Sequence, residues 1–271
     1  MAPVIVVAVL VAAAAAAAGW YWMSHPQMSR VVQAPPAQES AAQPQDSAPT
    51  AVLPTEVQPP AADEVVKAQD VTAALTQLLG RDAVLKFLET TDFPRKFVAT
   101  LDNLGRDHAP VPVWPVQPPP GRFVISGQGS QLMAAENALR YSPFVAFVGS
   151  VNAAQAVGLY RRMYPVLDQA WRELGLANRS LHARTFEVID LLLATPEPTQ
   201  PPKLTLTEVK GPIASARPWT RYEYADPNLQ GLSSGQKMLL RMGADNRKVL
   251  KAKLQELRQE LLRVSIEPSR P

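Results

Sequence analysis

Two carboxylates at helical spacing, Glu187 and Asp190, are the residues of this chain best placed to do chemistry. Three positions apart, they share one face of a helix, and two carboxyls about 5 to 10 Å apart form the acid and base of a glycosidase-like cleft. The same spacing has a structural use. Asp190 stands between Val188-Ile189 and Leu191-Leu192-Leu193, where an unpaired charge is costly and a partner is required. Arg161 and Arg162, on the helix expected to pack alongside, are the natural partners of Asp190, and Arg184 is available locally to Glu187. Because buried charges are generally paired, the five residues read as a structural ion-pair network rather than as catalytic groups. On that reading Asp190→Ala lowers stability sharply.

Other motifs dissolve on inspection. GLSSG at residues 231–235 has the letters of a nucleophile elbow with Ser233 as nucleophile, but ADPNLQ separates it from the upstream strand. All three histidines (His25, His108, His182) precede it, against the hydrolase order. Ser233 or Ser234 as the N-cap of the following helix explains the same residues. LSSGQ also looks like the signature of ABC-type ATPases, yet no G-x-x-x-x-G-K-[ST] accompanies it. GQGS at 127–130 is a Gly-rich turn without a phosphate-loop lysine. No two histidines lie at helical spacing, so no metal site is expected, and His108 and His182 read as solvated. The expectation is no catalytic residue, no cofactor and no metal.

The chain has 271 residues, 46% hydrophobic, with net charge +3, 27 prolines and no cysteine. The absent cysteines exclude disulfides, thiol catalysis and Cys-bearing zinc sites. The basic excess is too mild to imply nucleic acid by itself. It is concentrated at 236–263, where eight Lys or Arg face three acids. No aromatics interleave them, so they read as a solvated face rather than as a nucleic-acid surface.

The elements that would position these groups are mostly helical. The central pair spans 152–195. Val157, Tyr160, Tyr164, Leu167, Trp171 and Leu174 recur at three and four, with a second stripe of Leu159, Met163, Val166 and Ala170. A helix apolar over that much of its circumference is covered on more than one side. Asn152 caps it, Gly175 ends it, and Pro165 inside it predicts a kink; 181–194 is its partner, stopped by Pro196 and Pro198. Upstream, helices are expected at 63–80, from Asp82 through Leu88, and from Asp92 to Gly105. Closely spaced prolines then impose an extended excursion over 106–129, with one short strand at Phe123, Val124 and Ile125. Ser142-Pro143 reads as the start of a helix ending near Gly149. Downstream, 203–209 and 220–224 alternate like two strands, 236–242 forms a short helix, and Asp245 caps a last helix whose seam is Leu250, Leu254, Leu257 and Leu261. The fold class is therefore mainly α, a compact multi-helix domain with a minor two- or three-stranded β element.

Ahead of the domain, residues 1–24 carry no Asp, Glu, Lys or Arg, and 3–23 is long enough to span a bilayer. Trp20, Tyr21 and Trp22 suit the interface, and the basic n-region of a cleaved signal peptide is missing. The segment reads as a transmembrane anchor with the domain outside the cytoplasm. Residues 25–62, rich in Pro, Ala, Gln and Ser, read as a semi-extended, disordered linker. The domain is then 63–264, and 265–271 a disordered tail.

FVATLDNL (97–104), LYRRMYPVLDQAWRELG (159–175), FEVIDLLLATPE (186–197) and YEYADPNLQGLSSGQKMLLRMG (222–243) resemble the recurring blocks of a bacterial family of unknown function numbered 3014. The resemblance implies an envelope protein, and brings no activity, cofactor or catalytic residue; with the anchor, the expectation is a single-pass protein of the bacterial inner membrane with its domain in the periplasm. Anchor, reach and missing catalytic machinery together predict a non-enzymatic binding or scaffolding module. It would meet the membrane through its N-terminal helix and an unknown protein or cell-wall partner through its domain. Two rival classes are an envelope-polymer hydrolase using Glu187 and Asp190, and a basic surface binding anionic lipid. No nucleic acid is expected.

Overall fold

The computed structural model describes residues 53–127, 131–207 and 221–266. The expected anchor, the linker up to residue 52 and the last five residues lie outside them, as does most of the GQGS turn. Nine α-helices and two small sheets make up the described residues: α1 (Val71–Leu79), α2 (Arg81–Phe87), α3 (Phe93–Leu104), α4 (Glu136–Ser150), α5 (Ala153–Glu173), α6 (Leu181–Leu193), α7 (Pro227–Gln230), α8 (Ser234–Arg241) and α9 (Ala244–Arg263). No single helix among them is long and apolar enough to cross a membrane.

The two apolar stripes of α5 place it at the centre. Val157, Tyr160, Leu167 and Trp171 from one stripe and Leu159, Met163 and Ala170 from the other are buried, because α3 and α9 both pack on α5. The start of α5 is fixed as its sequence dictates: the Asn152 side chain accepts the Gln155 N–H at 3.1 Å, one of the four donors a helix start leaves unpaired. Its end is fixed by Gly175, whose φ of +79° only glycine adopts readily. The helix continues through Pro165, which lies on its exposed side. On α9 all four seam leucines are buried, each worth about 2 kcal/mol of apolar burial. They close the core against α4, α5 and α6.

Antiparallel β1 (Ile125–Ser126) and β2 (Leu132–Met133) pair Ile125 with Met133, and antiparallel β3 (Leu204–Leu206) and β4 (Tyr222–Tyr224) pair Leu204 with Tyr224. Their apolar residues form a second, smaller cluster in which Leu204 and Tyr224 are buried together with Leu240 of α8. The minor β element is thus two hairpin-like pairs, each shorter than the alternating runs that signal it.

Several boundaries differ from expectation. The helix predicted over 63–80 begins only at Val71, after 3-10 turns at Ala62–Glu64 and Ala68–Asp70. Val66 between those turns is buried and donates its N–H to the Arg162 carbonyl at 3.0 Å, a tertiary bond that an unbroken helix would forgo. Pro143 lies inside α4 rather than at its start. Pro143 and Leu139, the residue whose carbonyl loses its helical donor, are both exposed, so the lost bond falls on the solvent side of the helix, where it costs least. Gly243, with φ +86°, holds the N-cap position of α9 where Asp245 was expected. The domain also does not start at 63 or end at 264. Val57 bridges Ser265, Gln58 N–H donates to Val264 O at 2.8 Å, and Ile266 N–H donates to Glu56 O at 3.1 Å. The two ends of the described chain are zipped together.

Candidate functional site

The carboxylate pair comes first. Arg258 on α9, not Arg161 or Arg162, holds Asp190: its Nε donates to Oδ1 at 2.6 Å and its Nη2 to Oδ2 at 3.1 Å. The fork is bidentate, but the Asp190 side chain is 40% exposed and that of Arg258 33%. The assumption that Asp190 is buried among its apolar neighbours is therefore wrong, because the carboxylate leaves α6 toward the edge of α9. Arg161 instead reaches Glu64 at 3.2 Å, and Arg162 donates to the Glu64 carbonyl at 3.1 Å. Both pin the segment that enters the domain. Only the Arg184–Glu187 contact, 2.9 Å, matches the expected network, and Arg179 reinforces it at 2.7 Å.

The centre of the network is a residue the sequence did not single out. Asp102, in the last turn of α3, is 6% exposed at its side chain. Its Oδ1 accepts Arg184 Nε at 3.1 Å and its Oδ2 accepts Arg106 Nε at 2.8 Å. Arg184 Nη2 also donates to the Asp102 backbone carbonyl at 3.0 Å. A cation at a helix C-terminus satisfies carbonyls that the helix cannot. Gly105 makes the space, since a Cβ there would lie 2.4 Å from Arg184 Nη2.

The GLSSG segment is a junction of helix ends. Ser233 and Gln236 form a reciprocal capping box at the start of α8. Ser234, fully buried, donates its N–H to Arg106 O at 2.7 Å and its hydroxyl to Asn103 O at 2.8 Å. Gln236 Nε2 donates to Leu191 O at 3.0 Å. A Cβ on Gly235 would meet Leu192 Cδ2 at 2.7 Å and Leu104 O at 3.0 Å, so only glycine lets α8 seat against the ends of α3 and α6. The motif that looks like a nucleophile elbow supplies donors to two helix C-termini.

His182 is not solvated as expected. It is fully buried, with Nδ1 3.2 Å from Tyr160 Oη and Nε2 2.9 Å from Ser265 Oγ. Ser265 Oγ already donates to Leu261 O at 2.6 Å, so it accepts from His182 Nε2–H, and Nδ1 accepts from Tyr160. In this tautomer the imidazole cannot take a proton from Ser265, and the Ser-His contact is structural. Burial pushes the imidazole pKa down to about 4. His108 is exposed in its loop. Among the described residues no group of three or more His, Asp or Glu converges on a metal position.

The basic run of α9 is only partly the solvated face expected of it. Arg247 and Lys253 are buried. Lys253 Nζ donates to Val151 O at 2.8 Å, just past α4, and Lys251 Nζ to Thr195 O at 2.6 Å, just past α6. These cations, like Arg184 at α3, terminate helices.

An open concavity lies elsewhere, between α2, α4 and the Pro-rich strap that follows α3; a second one of about 220 Å³, with Asp92 and Glu173 in its lining, lies between the start of α3 and α5. Trp114 and Thr100 anchor the strap, the indole donating to Ala109 O at 3.1 Å and the hydroxyl to Val113 O at 2.9 Å. Glu89 N–H to Pro115 O and Gln117 N–H to Phe87 O, both 2.9 Å, lay it along α2. Prolines forbid an α-helix here, so apart from one 3-10 turn at Val111–Val113 the strap stays extended, and its Pro118, Pro119 and Pro120 wall a groove of about 250 Å³. Phe87, Tyr141 and Phe144 line the other sides. Phe87 stacks on Phe147 with centroids 4.8 Å apart and meets Phe144 edge-on at 5.7 Å. Arg140 holds the strap by donating to Pro120 O at 2.8 Å and Gly121 O at 3.2 Å, while Lys86 Nζ lies 5.1 Å from the centre of the Phe87 ring. Neither cation has a carboxylate within ion-pair distance among the described residues. The extended excursion was legible in the sequence. The groove was not, because its two aromatic sources are separated by the whole strap.

Comparison with protein-family models matches residues 93–258 to the family described as "Protein of unknown function (DUF3014)". The chain belongs to this family. The match runs from the start of α3 into α9, and so contains Asp102, Arg184, the GLSSG junction and the strap wall of the groove, while α2 lies before it. No curated protein and no solved structure matches the chain.

Proposed function

We propose that this protein is a non-enzymatic binding module of the bacterial envelope, anchored in the inner membrane by residues 1–24 and carried into the periplasm on the Pro-rich linker. One observation carries the non-enzymatic reading. The two carboxylates that the sequence offers as acid and base are each held by arginine, Asp190 by Arg258 and Glu187 by Arg184 and Arg179, whereas the groove beside α2 and α4 has aromatic and proline walls and no carboxylate lining it. A concave, mainly apolar site with a few fixed polar groups is the usual form of a ligand site. Supporting the tethered geometry, the linker enters the domain beside Ser265, at the far end of α9 from the part of α4 that lines the groove.

The test is cross-linked capture from intact cells with the full-length protein, comparing wild type, a groove variant (Lys86→Glu with Pro118→Arg, both at exposed positions) and a carboxylate variant (Glu187→Gln with Asp190→Asn). The binding-module reading expects the groove variant to lose the captured species and the carboxylate variant to keep it. The reverse pattern would sink it. Because the chain has no cysteine, Ser47→Cys gives the topology directly: a membrane-impermeant maleimide labels it in intact cells if the domain is periplasmic, and fails to if the orientation is opposite.

A further inference from the structure

We propose that the groove between α2, α4 and the proline strap is the docking site for the chain's own proline-rich stretch, residues 34–49 (APPAQESAAQPQDSAP); this deepens, and rests on, the reading of the groove as a ligand site. Three observations converge.

The first is the chemistry of the walls. Phe87, Tyr141 and Phe144 face Pro118 to Pro120 across a groove of about 250 Å³, room for two or three small residues. Proline-rich segments dock into aromatic-lined grooves because they are extended beforehand and lose little entropy on binding. Concavity separates this occupant from a bilayer. The two most exposed large apolar side chains of the described residues, Leu85 at 69% and Leu139 at 71%, adjoin the groove cations in sequence, and a protruding apolar patch with cations would suit a membrane surface. Here the aromatic surface is recessed between two walls, which a chain segment can enter and a lipid plane cannot.

The second is charge. Lys86 and Arg140 line the groove without an acidic partner among the described residues. Residues 34–49 carry Glu39 and Asp46 and no Lys or Arg, with Pro35, Pro36, Pro44 and Pro49 around them. An acid close to a proline, Glu39 after Pro36 or Asp46 after Pro44, complements the cations at the groove while the proline enters it.

The third is reach. The tether enters the domain where Val57 pairs with Ser265, at the end of α9. The groove is at the other end, where Asn246 at the start of α9 donates to Ala138 O, two residues before Arg140. Twenty helical residues separate these points, roughly 30 Å. Residues 53–57 already lie on the domain, with Leu53 packed on the core and Thr55 O accepting from Ser180 Oγ, so the free tether from 40 to 52 spans about 40 Å when extended at ~3.1 Å per residue, still longer than that separation. Tethering makes the contact intramolecular, at an effective concentration on the order of millimolar, so even weak docking fills the groove. A partner must then displace the tether to bind.

The experiment uses the full-length chain, whose lack of cysteine makes every introduced thiol unique. Ser40→Cys is paired with Gln117→Cys in the groove or, as control, with Lys248→Cys, exposed at a similar height on α9, and each is treated with a short bismaleimide. Docking predicts intramolecular cross-linking at Gln117 at least about tenfold faster than at Lys248, as an occupied rather than a random encounter. Lys86→Glu or Glu39→Lys alone slows it severalfold, and the two charge reversals together restore it. Equal rates at the two positions overturn the proposal, as do cross-links found only between molecules, or a groove thiol shielded by anionic vesicles instead of by the tether. If the rates are equal and the groove variant still loses its captured species, the inference falls and the binding-module reading stands. If the rates are equal and that variant keeps the species, both fall.

Discussion

Asp102 and Asp190 are both helix carboxylates gripped by arginine, yet they do different work. Asp102 is 6% exposed and accepts from two guanidinium groups at the end of α3, whereas Asp190 is 40% exposed and faces one. Two charges taken out of water must repay a large desolvation cost with near-complete hydrogen bonding. Asp102 meets that demand through Arg184 and Arg106, with its own backbone carbonyl joining in. Asp190 keeps much of its water, so its fork gains less and its loss costs less. Proximity to apolar letters in the sequence is therefore a poor guide to which charge the fold depends on; the direction in which the side chain leaves its helix decides.

The sharpest test of that contrast is Asp102→Ala, which leaves Arg184 buried beside an apolar gap. It should lower the unfolding free energy by about 3–5 kcal/mol in urea titration, and a loss below that of Asp190→Ala would break the comparison.

Acid probes a second buried polar centre. His182 has its folded pKa near 4 against 6.5 in the unfolded chain. Between those values the unfolded state binds the extra proton, so stability rises with pH. His182 is therefore neutral in its effect above about pH 6.5 and costs up to about 3 kcal/mol as pH falls to 4. Subtracting the stability profile of His182→Gln from that of the wild type should leave a difference confined to this window. A flat difference would show that the imidazole is not held neutral by Tyr160 and Ser265.

Gly105→Ala should cost about 1–3 kcal/mol, since the new methyl displaces Arg184 from Asp102. In a double-mutant cycle with Asp102→Ala the losses should fall short of additive; strict additivity would mean the glycine serves some other contact. The smallest effect is expected for Asp190→Ala, about 0.2–1 kcal/mol, in place of the sharp loss its sequence context suggests. A thermal melt that moves by many degrees would restore the buried reading.

The helices of the core were legible because their signals are local. The double stripe of α5, the cap at Asn152, the stop at Gly175 and the leucine seam of α9 all sit within single stretches, and each is where the sequence placed it. Ser233 was legible as a cap for the same reason. The starts of α1 and α4 were not. Val66 is drawn out of helix by a bond to a residue 96 positions away, Arg162, and Pro143 is tolerated only because it faces solvent.

What the sequence determined by itself, then, is the mainly helical class, the central pair α5 and α6 and the extended proline strap, since periodicity, caps and prolines act over a turn or two of chain. The tertiary structure alone decided which charges matter and where a ligand could sit. Asp102 meets Arg184 across 82 residues, Asp190 meets Arg258 across 68, and the groove joins α2 to α4 across the strap. Burial and ion pairing depend on which helix ends converge, and no local pattern encodes that convergence.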